Sequence, residues 1–125
     1  MIEVPISRKL LLSILRSARA SYPRETVLLL RGKSKGEKIE VTDILIPPLA
    51  THGRGFAAFP LHMLPIDFTL VGSVHSHPSG VLEPSVGDLN RRFSKVTMIV
   101  AYPFQEQNVG VFNDAGKRIT LQLTE

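Results

Sequence analysis

The run Thr69-Leu70-Val71-Gly72-Ser73-Val74-His75-Ser76-His77, closed by Pro78, constrains the fold of this chain more than any other stretch. It is short, partly β-branched and ended by a proline, which predicts a central strand rather than a helix. Side chains two apart on a strand share a face. Val71, Ser73, His75 and His77 therefore fall on one side, with Leu70, Val74 and Ser76 on the other. A face that carries two imidazoles is thereby separated from a face that packs.

Beyond Pro78, the chain supplies Ser85 and Asp88. A carboxylate brought back by a turn would complete an N/N/O donor set with His75 and His77. Catalytic zinc is typically held by three protein ligands, with a further position left for water or substrate. Two neutral imidazoles and one carboxylate leave the centre at net positive charge, which acidifies a bound water toward a pKa of about 7. Ser85, on the same turn, is placed to hydrogen-bond the oxygen of a tetrahedral intermediate. Each part has a plainer role as well. Ser85-Val86-Gly87-Asp88-Leu89 has the form of a capping box, and single histidines are more often structural than ligating. The two roles are compatible, because a helix start that presents Asp88 toward the strand also fixes a ligand. The combination favours a metal site.

Composition narrows the chemistry. There is no cysteine among the 125 residues, so thiol catalysis, disulfides and thiolate ligands are excluded. Any metal must use His, Asp or Glu. The content of 43% hydrophobic and 21% charged residues is that of an ordinary globule of one domain, residues 1–125. The apolar clusters are too short for a signal peptide or a membrane span, so a cytoplasmic location and no membrane partner are expected. Fifteen Lys and Arg against eleven Asp and Glu give a formal charge of +4. The basic residues are scattered without interleaved aromatics, which makes nucleic acid the disfavoured partner.

The remaining pattern predicts an α/β (α+β) fold. Ser7 is a helix cap, followed by a stripe of Leu10, Leu11, Ile14, Leu15 and Ala18 that ends before Pro23. A strand over 26–31, a turn over 32–36 and a strand over 38–46 form a hairpin. Residues 49–59 read as a long surface loop. A helix runs from Ser85 to about Phe93, and three further strands follow near 96–101, 109–112 and 118–123. His52 and His62 are set aside as ligands.

The stretch His75-Ser76-His77-Pro78, six residues, then Ser85-x-x-Asp88 resembles the JAMM signature of MPN-domain metalloproteases, His-Ser/Thr-His-Pro-x6-Ser-x-x-Asp. The resemblance covers most of the chain. It implies a mixed curved β-sheet flanked by an N-terminal helix and a helix after the His-x-His strand. It implies one Zn2+ per chain on His75, His77 and Asp88, with Glu25 as general base and Ser85 as oxyanion donor. Here Thr26-Val27-Leu28 takes the place of the small residue and glycine that many relatives carry after the glutamate. The resemblance also implies peptide or isopeptide hydrolysis after the Gly-Gly tail of a ubiquitin-like modifier or sulfur-carrier protein, with that modifier and its conjugates as partners. Gly53, Arg54, Gly55 and Phe56 are the candidate tail-binding residues. A homodimer is left open. A metal-free MPN scaffold and a RadC-like, DNA-linked protein are the alternative readings.

Overall fold

The computed structural model describes residues 2–46, 51–53, 56–58, 69–85, 88 and 95–125. Among these described residues, seven strands form a closed barrel, and two more form a separate two-stranded sheet. In chain order they are β1 (Glu3–Ser7), β2 (Val27–Lys35), β3 (Lys38–Leu45), β4 (Thr51–Gly53), β5 (Phe56–Ala58), β6 (Leu70–His77), β7 (Val96–Ala101), β8 (Val109–Phe112) and β9 (Arg118–Thr124), with helix α1 (Arg8–Ser21) between β1 and β2. The barrel order is β1-β3-β2-β6-β7-β8-β9. Parallel pairing of β1 with β9 closes it, so the predicted mixed, curved sheet curves through to closure.

Helix α1 starts where its sequence says it should. The Ser7 hydroxyl accepts the Leu10 N–H at 3.1 Å, satisfying one of the donors that a helix start leaves open. The expected stripe is buried at Leu11, Ile14, Leu15 and Ala18. It joins one apolar core with Val4 and Ile6 of β1, Leu28 and Leu30 of β2, Val74 of β6 and Met98 and Val100 of β7. Val71 of β6 packs into the same core, although strict alternation would place it on the histidine face.

Three predictions of local structure are corrected. The strand β1 was not anticipated, and helix α1 follows it directly. The turn expected over 32–36 is shorter: β2 continues to Lys35, and the chain reverses at Gly36-Glu37, where Gly36 has φ of 60°. Gly32 lies at an irregularity in the β2–β3 ladder, where a Cβ would collide with the Glu40 carbonyl. Its glycine serves close backbone approach rather than a turn. The loop expected over 49–59 contains the antiparallel pair β4–β5. Of the helix expected over Ser85 to Phe93, only Ser85 and Asp88 are described, and the rest lies outside the described residues.

Candidate metal centre

Strand β6 lies inside the barrel wall, hydrogen-bonded to β2 on one side and β7 on the other. All eight of its residues are buried. In the register, His75 faces Val27 of β2 and Ile99 of β7, and His77 faces Ala101. These neighbours form an apolar floor beneath the imidazoles: Val27 and Ile99 are 1% and 0% exposed.

Ser76, between the histidines, points to the opposite face and grips the segment before β2. Its backbone N–H donates to the Thr26 carbonyl at 3.0 Å, while its hydroxyl accepts the Thr26 N–H at 2.8 Å and the Thr26 hydroxyl at 3.1 Å. Continuing the Val27–His75 register through Thr26 and Ser76 sets Glu25 across from His77. Residues opposite one another on antiparallel chains share a face. Glu25 is therefore brought to the histidine face, where its charge interacts with those of His77 and Asp88. Burial raises its carboxyl pKa above the ordinary value, His77 opposes that rise and Asp88 adds to it.

His75, His77 and Asp88 converge. Asp88 Oδ1 lies 3.2 Å from His75 Nδ1, and Asp88 Oδ2 lies 2.9 Å from His77 Nε2. Asp88 is held by a reciprocal cap, its N–H donating to the Ser85 hydroxyl at 3.1 Å and its Oδ2 accepting the Ser85 N–H at 2.8 Å. The anticipated capping box is thus the device that aims Asp88 at the histidines. Burial alone would raise the pKa of Asp88. The hydrogen bond with His77, then the charge on His75, the Ser85 N–H and the charge on His77 outweigh burial and hold it at about 2.

His77 Nδ1 lies 2.8 Å from the Val81 carbonyl, which can only accept, so Nδ1 carries the proton. Nε2 is then left facing Asp88. A proton on Nε2 would donate to the Asp88 carboxylate, 2.9 Å away. Burial lowers the pKa of His77, but Asp88, the Val81 carbonyl and Glu25 together raise it above 6.5. A metal cation can replace that proton, because a histidine whose Nδ1–H is fixed by a carbonyl presents Nε2 as the ligating atom. On His75, Nε2 pairs with the Ser73 hydroxyl at 3.0 Å, leaving Nδ1 toward Asp88.

This donor set fits zinc. Two imidazoles and one carboxylate are the donor types that bind zinc. Among the described residues, no three His, Asp or Glu side chains stand in an arrangement that already frames an ion. Asp88 spends both oxygens on direct contacts with the imidazoles.

Sequence reasoning had not identified Ser73, Thr26 or the Val81 carbonyl. Ser73 was recoverable, since alternation puts it on the histidine face one pair before His75. Of the candidate tail-binding residues, Gly53 and Phe56 end β4 and begin β5 and pair in register. Arg54 and Gly55 lie outside the described residues, as does His62.

A strand-borne His-x-His pair with a capped aspartate, on a mixed barrel, defines a metalloprotease-like JAB/MPN domain. Residues 7–113 match the family described as prokaryotic homologs of the JAB domain, and the chain belongs to that family. It is 34% identical over 110 residues to a probable metalloprotease of Haloferax volcanii, a match covering 82% of this chain and 68% of the relative. Among solved structures it is similar to AF2198, a JAB1/MPN domain protein from Archaeoglobus fulgidus, with a TM-score of 0.70, 31% identity and full coverage of both chains. A structure described as a metalloprotease-like zinc site in the proteasome and signalosome gives a TM-score of 0.68 at 27% identity, covering 100% of this chain and 99% of that one.

Proposed function

We propose that this chain is a zinc-dependent metalloprotease that hydrolyses peptide or isopeptide bonds following the Gly-Gly tail of a ubiquitin-like modifier or sulfur-carrier protein. The observation that supports it most is the convergence of His75, His77 and Asp88 on one face, with Glu25 near enough for its charge to interact with His77 and Asp88. These three side chains would hold one zinc ion. A bound zinc supplies Lewis acidity, polarising an amide carbonyl and making an adjacent water easier to deprotonate.

The remaining chemistry belongs to the chain's own groups. Glu25, with its pKa raised by burial, is suited to accept a proton from the attacking water and return it to the leaving amine. The Ser85 hydroxyl accepts from the Asp88 N–H, so its own proton is free to be donated to the carbonyl oxygen as charge develops there. Val27 and Ile99 set buried apolar side chains beside His75. A Gly-Gly tail suits the site because glycine lets a backbone approach closely. It would lie as an added strand beside the segment over residues 53–59, with Arg54 and Gly55 contributing.

The test is hydrolysis of Gly-Gly-tailed proteins fused to a lysine-linked reporter, assayed with and without a chelator. Zinc near one equivalent, activity lost on chelation and activity restored by zinc are the expected results. Cleavage that survives complete metal removal would eliminate this reading.

A further inference from the structure

A concavity of about 1070 Å3 lies on the sheet away from the histidines. Lys33, Lys35, Lys38 and Lys95 line it, with Glu40 as its one carboxylate among the described residues. These lysines come from separate parts of the chain. Lys33 and Lys35 alternate along β2, Lys38 begins β3, and Lys95 precedes β7, its N–H bonded to the Val71 carbonyl at 2.9 Å. Across the hairpin, Lys33 faces Glu40, but Lys35 directly faces Lys38. Like charges opposed in register weaken strand pairing. Glu3 of β1 is in register with Lys38 on its other side and offsets part of this repulsion, and an anion lying over Lys35 and Lys38 would offset more.

The four ammonium groups belong to exposed residues. They are hydrated point charges without the bidentate fork of arginine, suited to steering and transient docking of an acidic surface rather than to a closed phosphate pocket. Among the described lining residues there is neither an arginine nor an aromatic ring on which a nucleobase could stack.

We propose that this concavity docks an acidic polypeptide segment of the protein on which the chain acts, away from the bond that is cut. The proposal rests on the reading that the substrate is a protein. Leu70 lines the concavity, and His75 lies five residues further along β6, about 17 Å at strand rise. A partner seated here would reach the candidate metal centre through an extended segment, adding binding energy without touching the reacting atoms.

Fluorescence anisotropy with a labelled glutamate-rich peptide, and with its glutamine counterpart, tests this in the Glu25→Gln protein, where binding is read without turnover. The glutamate peptide should bind and the glutamine peptide should not. Affinity should fall by roughly tenfold in an added Lys35→Glu substitution and should weaken as salt rises. Lys35→Glu sets opposite charges across the hairpin, so lost binding could not be traced to a weakened fold. Equal binding with and without that substitution, absence of saturable binding, or preference for duplex DNA would overturn the proposal. If no fusion protein is hydrolysed while Lys35-dependent peptide binding persists, the docking surface stands and the proteolytic reading falls.

Discussion

Thr26 and Ser76 hold each other through three hydrogen bonds, and this clasp is what delivers Glu25 to the histidine face. Ser76 is therefore more than a spacer between two ligand candidates. In Ser76→Ala the Thr26 N–H and hydroxyl lose their side-chain acceptor, at a cost of about 1–3 kcal/mol. Glu25 loses its fixed approach, and turnover should fall roughly ten- to a hundredfold with metal content unchanged. Steady-state kinetics beside zinc analysis checks it, and unaltered kcat would detach the clasp from catalysis.

Glu25→Gln separates chemistry from metal binding. The amide preserves shape but cannot take up the proton, so hydrolysis should drop by about 10²–10⁴-fold while zinc stays near one equivalent. A fully active variant would assign the base elsewhere.

Ser73→Ala probes the orientation of His75. The Ser73 hydroxyl, 3.0 Å from Nε2, fixes which nitrogen faces Asp88. Removing such a partner typically weakens metal affinity by about 10–100-fold. Competition with a chromophoric chelator measures this directly, and unchanged affinity would refute the orienting role.

The metal-free protein should lose stability in acid through Asp88. Its folded pKa of about 2 lies below the ordinary aspartate value of 3.8. Its contribution is thus present above pH 3.8 and lost as pH falls from there through 2, a loss of roughly 2 kcal/mol. Urea melts of wild type and Asp88→Asn across this range should converge at low pH; parallel curves would contradict the assignment. His77 behaves oppositely. Its folded pKa is raised above 6.5, so its contribution to the metal-free fold is complete below 6.5 and is lost as pH rises through the raised value. Metal loading requires that proton to leave, so zinc affinity should weaken as pH is lowered through the same range.

Gly72→Ala tests the packing of β6. A Cβ at Gly72 would collide with the backbone carbonyl of Val96 on β7. Because backbone rather than a flexible side chain stands in the way, destabilisation of about 3–5 kcal/mol is expected, read by chemical denaturation. A neutral substitution would show that β6 and β7 are less closely apposed.

Much of this was legible in the residues because the signals were local. Ser7 announced its helix, alternation in β6 gave the histidine face, and Ser85 with Asp88 announced a cap that also aims Asp88 at the histidines. Strand β1 was not legible: Glu3-Val4-Pro5-Ile6-Ser7 contains a proline, and its partners lie in β3 and β9, far along the chain. Gly32 read as a turn residue because its true constraint, the Glu40 carbonyl, belongs to the facing strand. Ser73 and the Val81 carbonyl escaped notice because no motif encodes the group that steadies an imidazole.

The pairing of Glu3–Ser7 with Thr120–Thr124 has a kinetic consequence. A seam between segments so distant in sequence pays nearly the largest loop-closure entropy this topology offers. The β2–β3 hairpin and the β2–β6 pairing join nearer segments and should gain amide protection first during refolding. The seam should gain protection last, so that the histidine-bearing strand is already in register when the barrel shuts. Pulse-labelling hydrogen exchange would resolve the order, and simultaneous protection of seam and hairpin would refute it.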